Sequence, residues 1–177
     1  MKQKMGEKGF TLIELVVGIA IAAFVVGAAS MTIITMMRLS PQSNNWAIAL
    51  RQVQNTGYWI SRDVQMAQGE ITVGTGTPTF LTLTVPEWET DEVVPKTVVY
   101  EFEDMSGEQW LVRTESIGGS IVGQTAIAQY ISMPDTTATY DDVTRTLTLK
   151  VTAISGNVPV TKRYETTQRV PAPAPPP

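Results

Sequence analysis

The chain has 177 residues, no Cys, no His and a formal net charge of −4. Without Cys or His there is no thiol or imidazole catalysis, no Cys/His metal centre, no disulfide framework and no ordinary Ser–His–Asp triad. Weak overall acidity with no large basic patch argues against nucleic acid as a partner.

Overall hydropathy is near neutral, but this averages two unlike parts. The first forty residues are strongly apolar, and the remainder is polar and rich in Thr, Val, Gly and Pro. Lys2, Lys4 and Lys8, offset by Glu7, precede Gly9-Phe10-Thr11-Leu12-Ile13-Glu14, and no charge occurs from Leu15 to Met37. A helix rising about 1.5 Å per residue crosses the hydrocarbon core in about 20 residues, so this run is long enough. Lysines ahead of it place the N-terminus in the cytoplasm and the bulk of the chain outside. A secretory signal peptide competes, though its apolar stretch is usually about 7–15 residues; Gly27-Ala28-Ala29-Ser30 would serve as its cleavage site. A plain single-span anchor competes too. Both leave Glu14 unexplained, because a carboxylate within a membrane segment costs about 2.5–3.5 kcal/mol on insertion scales and by default marks a function.

The segment Gly9-Phe10-Thr11-Leu12-Ile13-Glu14-Leu15-Val16 resembles the type III signal of type IV pilins and type II secretion pseudopilins, without a mismatch. The resemblance implies cleavage between Gly9 and Phe10 by prepilin peptidase, a membrane aspartyl enzyme that also methylates the new amine of Phe10. The physics of the residues agrees. Gly9 lets an extended backbone enter a tight cleft at low steric cost. Glu14 lies four residues, about 6 Å along a helix, from the Phe10 amine. A buried charge is tolerated when paired, so Glu14 of one subunit is expected to meet the Phe10 amine of a neighbour and set the axial register. Gly18–Ala22 and Ala23–Gly27 are small-xxx-small pairs of the kind that allow close helix approach in membranes.

Past Arg38, Pro41 predicts a kink or short break, after which Trp46, Leu50, Val53, Gly57, Ile60, Val64 and Ala67 form one stripe on a helix. That stripe is expected to lie on a globular head, with Arg51, Gln52, Gln54, Asn55, Ser61, Arg62, Asp63 and Gln65 on the polar remainder. Tyr58 and Trp59, beside the stripe, are candidates for contact with neighbouring subunits.

From Glu70 the pattern changes to period two. Strands are expected at 71–73, 80–85, 97–103, 109–114, 127–132, 144–153 and 160–166. Turn signals occupy Gly74–Pro78, Asp104–Gly107, Ser116–Gly119, Pro134–Thr136 and Ser155–Asn157, with hairpins across Ser106-Gly107 and Gly156-Asn157. The expected fold class is α+β, a long N-terminal helix packed on an antiparallel sheet head in a pilin-like ladle. Its parts are a leader (1–9), a membrane and filament-core helix (10–38), an amphipathic half-helix (39–69), a β-rich head (70–169) and a Pro-rich flexible tail (170–177).

Ile60-Ser61-Arg62-Asp63-Val64, Tyr100…Leu111-Val112-Arg113 and the strands around Val143–Val151 resemble the J-type minor pseudopilins and related minor pilins. That subtype implies a place in a small complex at the filament tip, where assembly starts. Asp135, Asp141 and Asp142 fit a solvated turn better than a calcium loop. Glu87, Glu89, Asp91 and Glu92 around Trp88 form a solvated or partner-facing acidic loop. No carboxylates are paired for acid–base work, so no enzyme activity, catalytic residue, cofactor or metal is expected. The partners implied by the resemblance are prepilin peptidase, other pilin or pseudopilin subunits, an inner-membrane assembly platform and, before assembly, membrane lipid. The competing function is a secreted or tethered β-domain that binds a partner without polymerising.

Overall fold

The computed structural model describes residues 10–69, 71–74, 78–89 and 92–169. Gly9 with the rest of the leader, part of the Gly74–Pro78 turn and the tail 170–177 lie outside them. The chain divides into two units at the Ser43–Asn44 junction, and one helix, α1 (Leu12–Met66), runs through both. Pro41 sits inside α1 and ends nothing.

In the first unit every residue from Phe10 to Met37 is exposed. Three hydroxyls between Ser30 and Thr35 are satisfied inside the helix: Ser30 donates to the Val26 carbonyl (2.8 Å), Thr32 to Ala28 (3.0 Å) and Thr35 to Met31 (2.8 Å). In lipid, where water is absent, such back-bonding removes the cost of an unmet donor.

In the second unit the end of α1 packs on antiparallel sheet. One sheet has the order β1 (Ile71–Val73), β2 (Thr79–Glu89), β3 (Glu92–Met105), β4 (Glu108–Ile117), β5 (Ser120–Gln129). The other is β6 (Thr137–Asp141), β7 (Thr146–Ser155), β8 (Val158–Thr167). Tight turns set the register. Ser106 and Gly107 both have positive φ (61° and 82°), as a type I′ hairpin requires, and Gly118-Gly119 repeat the pattern between β4 and β5. At the β7–β8 turn only Gly156 is left-handed (φ 57°), which suits a type II′ turn.

Period two explains the core. Leu147, Leu149 and Val151 point inward together, and so do Leu81, Leu83 and Val85; all six are buried. They meet Ala49, Val53, Ile60, Val64 and Ala67 of the helix. Burying one such side chain stabilises the fold by about 1.5–3 kcal/mol. The helix stripe differs from expectation at its margins. Trp46 is about half exposed, while Ala49, Thr56 and Asp63 are fully buried. Positions 49, 56 and 63 repeat every seven residues beside the expected line, so the buried face is two rows wide.

Asp63 shows why a charge lies there. Its Oδ2 accepts from the Tyr100 hydroxyl (2.6 Å) and from Arg113 Nε (2.5 Å), and Arg113 also pairs with Glu115, which meets Lys96 at 3.5 Å. The charges alternate along this chain from helix to sheet. Burial, with the Asp63 carboxylate beside it, pushes the Tyr100 hydroxyl far up. Burial works against the Arg113 charge, but its bonds to Asp63 and Glu115 outweigh that and raise it. Burial would also raise Glu115, yet Arg113 and then Lys96 hold its carboxyl below the usual glutamate range. The Trp59 ring lies 5.3 Å from the guanidinium carbons of both Arg62 and Arg113. Trp59 is thus half-buried against the head, whereas Tyr58 remains exposed.

Candidate assembly site

The functional candidate is the start of α1. Thr11 precedes the first helical residue and stands at the N-cap. Its hydroxyl accepts from the Glu14 backbone N–H (3.3 Å), while Glu14 Oε2 accepts from the Thr11 N–H (2.9 Å) and the Thr11 hydroxyl (2.8 Å). This is a reciprocal capping box, in which two orphan donors of the helix end are satisfied at once. A carboxylate in the first turn also suits the positive end of the helix dipole. The expectations from sequence give Thr11 no part; the Thr-x-x-Glu spacing was the available signal.

Phe10 and Glu14 are exposed and four residues apart, with Phe10 just ahead of the helix that starts at Leu12. Glu14 Oε1 has no partner among the described residues. Gly18, Ala22, Ala23 and Gly27 continue along an exposed surface, and a Cβ added at Gly18 or Gly27 would meet no atom within 4 Å. Nothing within the described chain therefore demands glycine at either position. The helix is long and apolar enough to cross a membrane, by length and composition.

Other residues singled out from sequence fall elsewhere. Asp63, Tyr100 and Arg113, which carry the finer minor-subunit resemblance, are brought together in the buried network. Asp135 accepts from the Ser132 hydroxyl (2.7 Å). Asp141 accepts from the backbone N–H of Val143 (2.9 Å) and Thr144 (3.3 Å), and the Thr144 side chain first, then these backbone bonds, hold its carboxyl below the usual range. Both are turn caps. Among the described residues no three carboxylates stand together as a metal site would need. The acidic run is not a loop: Glu87 to Glu89 and Glu92 belong to the paired strands β2 and β3.

A model of the prokaryotic N-terminal methylation motif matches residues 4–30. No curated protein and no solved structure matches the chain. The match covers the capped, exposed start of α1 and stops well short of the head. The chain thus carries a type IV pilin-like type III signal, on a long helix whose second part packs against antiparallel sheets.

Proposed function

We propose that this protein is a minor pilin or pseudopilin subunit, cut between Gly9 and Phe10 by prepilin peptidase, methylated on the Phe10 amine and assembled into a type IV pilus-like or type II secretion filament. The observation that carries this is the methylation motif running without interruption into an exposed apolar helix. Before assembly the helix spans the cytoplasmic membrane once, N-terminus inside and head outside. In the filament, Glu14 pairs with the Phe10 amine of a neighbour and fixes the register, and the small-residue face at Gly18, Ala22, Ala23 and Gly27 lets helices approach closely. The open space around Gly18 and Gly27 supports a packing role between chains. The finer reading is a J-like subunit at the filament tip that helps to start assembly at the membrane platform. Its support is the meeting of Asp63, Tyr100 and Arg113, drawn from the segments that resemble that subtype.

A second reading, a tethered β-domain that never polymerises, has one observation in its favour. Glu14 is already engaged by Thr11, so its presence has a local explanation.

Intact mass and N-terminal sequencing of the protein from its native host test the first reading. The expected product starts at Phe10 and carries one extra methyl group. A start near Ser30, or an intact Met1, would overturn it. Gly9→Val is expected to leave an unprocessed membrane precursor, seen as a larger band in the membrane fraction.

A further inference from the structure

The turn between β6 and β7 stands out from the head as a fixed knob. Asp141 Oδ1 accepts from the N–H groups of Val143 and Thr144, which closes the turn on itself. Arg145 follows with a left-handed backbone (φ 54°), uncommon for any residue but glycine. That conformation is held from outside the turn. The Arg145 carbonyl accepts from the Gln168 N–H (2.8 Å), and its Nε donates to Gln168 Oε1 (3.3 Å). Gln168 is itself buried and donates to the Ala67 and Gly69 carbonyls, just past the end of α1. The one cation of the turn is thus drawn inward. Asp141, Asp142 and Val143 face solvent, and Val143 is 87% exposed.

A lone exposed valine is ordinary. This one has two carboxylates before it, on a backbone that has already lost its freedom. The ordering that a binding loop must undergo is complete before any partner arrives. A surface that supplies cations and an apolar seat would complement it.

The same chain carries such a surface. Between α1 and β8 lies a groove of about 540 Å³ lined by Gly57, Tyr58, Arg62, Gln65, Lys162 and Tyr164. Its depth comes from Gly57, where the missing side chain admits the Tyr164 ring, and Tyr164 is pinned by a bond from its hydroxyl to the Val53 carbonyl (3.1 Å). Exposed Tyr58 adds an aromatic wall. Arg62 and Lys162 have no ion partner among the described residues, unlike Arg113 and Arg163. From Asn44 to Gly69 the only carboxylate is Asp63, and it is buried. The groove is therefore cationic, and no acid on the helix offsets it.

The knob does not reach its own groove. β8 runs along α1 in the same direction: Tyr164 meets Val53, Thr166 meets Ser61 (2.9 Å) and Gln168 meets Ala67 (2.9 Å). Thr146↔Thr167 is the last rung between β7 and β8, and Val143 lies beyond it. Lys162 is five residues back from that rung, about 17 Å along an extended strand. A turn closed by its own bonds does not fold back so far. We propose that the Asp141–Arg145 turn of one subunit docks in the Arg62/Lys162 groove of a second copy of this chain, with Val143 seated against Tyr58 and Tyr164. A copy shifted along α1 by about that strand length makes the contact with both helices pointing the same way, as chains anchored in one membrane require. The contact joins two different surfaces, so it propagates head to tail and does not close on itself as a twofold dimer would. It rests on the filament reading for its setting.

The chain has no Cys, which makes the test direct. Two differently tagged full-length chains are co-expressed in the native host, one with Val143→Cys in the turn and one with the exposed groove position Gln65→Cys. Mild oxidation of membranes and of sheared filaments is expected to give a mixed-tag disulfide dimer. Lys150→Cys, exposed on the outer face of β7, should give none with the same groove cysteine. Arg62→Glu with Lys162→Glu should cut the yield at least tenfold, and Asp142→Lys on the turn-bearing chain should restore it, which also shows that the reversed groove still folds. No dimer, a dimer indifferent to the charge reversals, an equal yield from Lys150→Cys, or a turn cysteine that captures only another protein overturns the proposal. If the chain nonetheless enters filaments, the contact alone falls. A charge-dependent dimer in membranes of cells whose filaments lack the chain upholds the contact and overturns the filament reading.

Discussion

The two parts of α1 differ in what explains their residues. After Asn44, the buried apolar positions have partners in the same chain: Val53, Ile60 and Val64 share one core with Leu81, Leu111 and Leu149. Before Ser43, the apolar residues from Phe10 to Met37 are all exposed, and the glycines meet nothing. A soluble helix would not keep so continuous an apolar surface without a cover. The contrast teaches that residue choices in the first part are not explained by contacts within the chain, whereas those in the second answer to the protein's own sheets. Mutations should therefore sort cleanly, with head variants changing folding and front-half variants changing assembly only.

The largest effect on folding is expected from Asp63→Ala. Removing one partner of a buried ion pair leaves the other uncompensated; because Glu115 still holds Arg113, the loss should be at the low end of the known range, about 3 kcal/mol. Denaturant unfolding of the full chain in detergent, followed by Trp fluorescence, reads this directly. An unchanged midpoint would break the comparison at its strongest point.

Gly57→Ala comes next. The added methyl runs into the Tyr164 ring, and overpacking of this kind costs roughly 1–3 kcal/mol. The same unfolding curve measures it, and a smaller side chain at 164 should recover part of the loss.

Acid gives a smaller effect. Glu115 titrates lower in the folded head than in the unfolded chain, so its contribution is complete above the ordinary glutamate range and is lost as pH falls through the lowered folded value. Head stability should decline below about pH 4 by this route, and Glu115→Gln should flatten that part of the pH profile. A profile identical in the two proteins would show that the Arg113–Glu115 link carries no weight.

Smallest of all on the head is Gly18→Leu, with no expected shift in the unfolding midpoint, since nothing surrounds that position. Its effect should appear as less subunit in sheared filaments. A stability loss there would mean the two parts of the helix are less separate than their surroundings indicate.

Much of this was legible in the sequence because the signals were local. The apolar run, the period-3.6 stripe and the glycine turns each report on residues a few positions apart. β6 escaped because Thr137, Thr139 and Asp141 read as a polar turn, while only Ala138 and Tyr140 mark its inner face. The first part of β5 escaped because Ser120–Ala126 is mostly exposed, with Gly123 in the middle. By pattern Asp63 falls on the polar remainder of the helix, because its partners lie 37 and 50 residues away and no spacing rule links a helical aspartate to Tyr100 and Arg113. At the candidate assembly site the residues were plain, but Glu14's bond to Thr11 was hidden behind its more conspicuous charge.

The capping box divides the Glu14 carboxylate between two duties. Oε2 is committed to Thr11, and Oε1 faces outward without a partner among the described residues. One oxygen can hold the helix start while the other answers an approaching cation, so recognition need not unwind the first turn. A neutral amide would keep the first duty and lose the second, because glutamine also completes a capping box. Glu14→Gln thus separates architecture from charge at a single atom's distance, where Glu14→Leu would remove both.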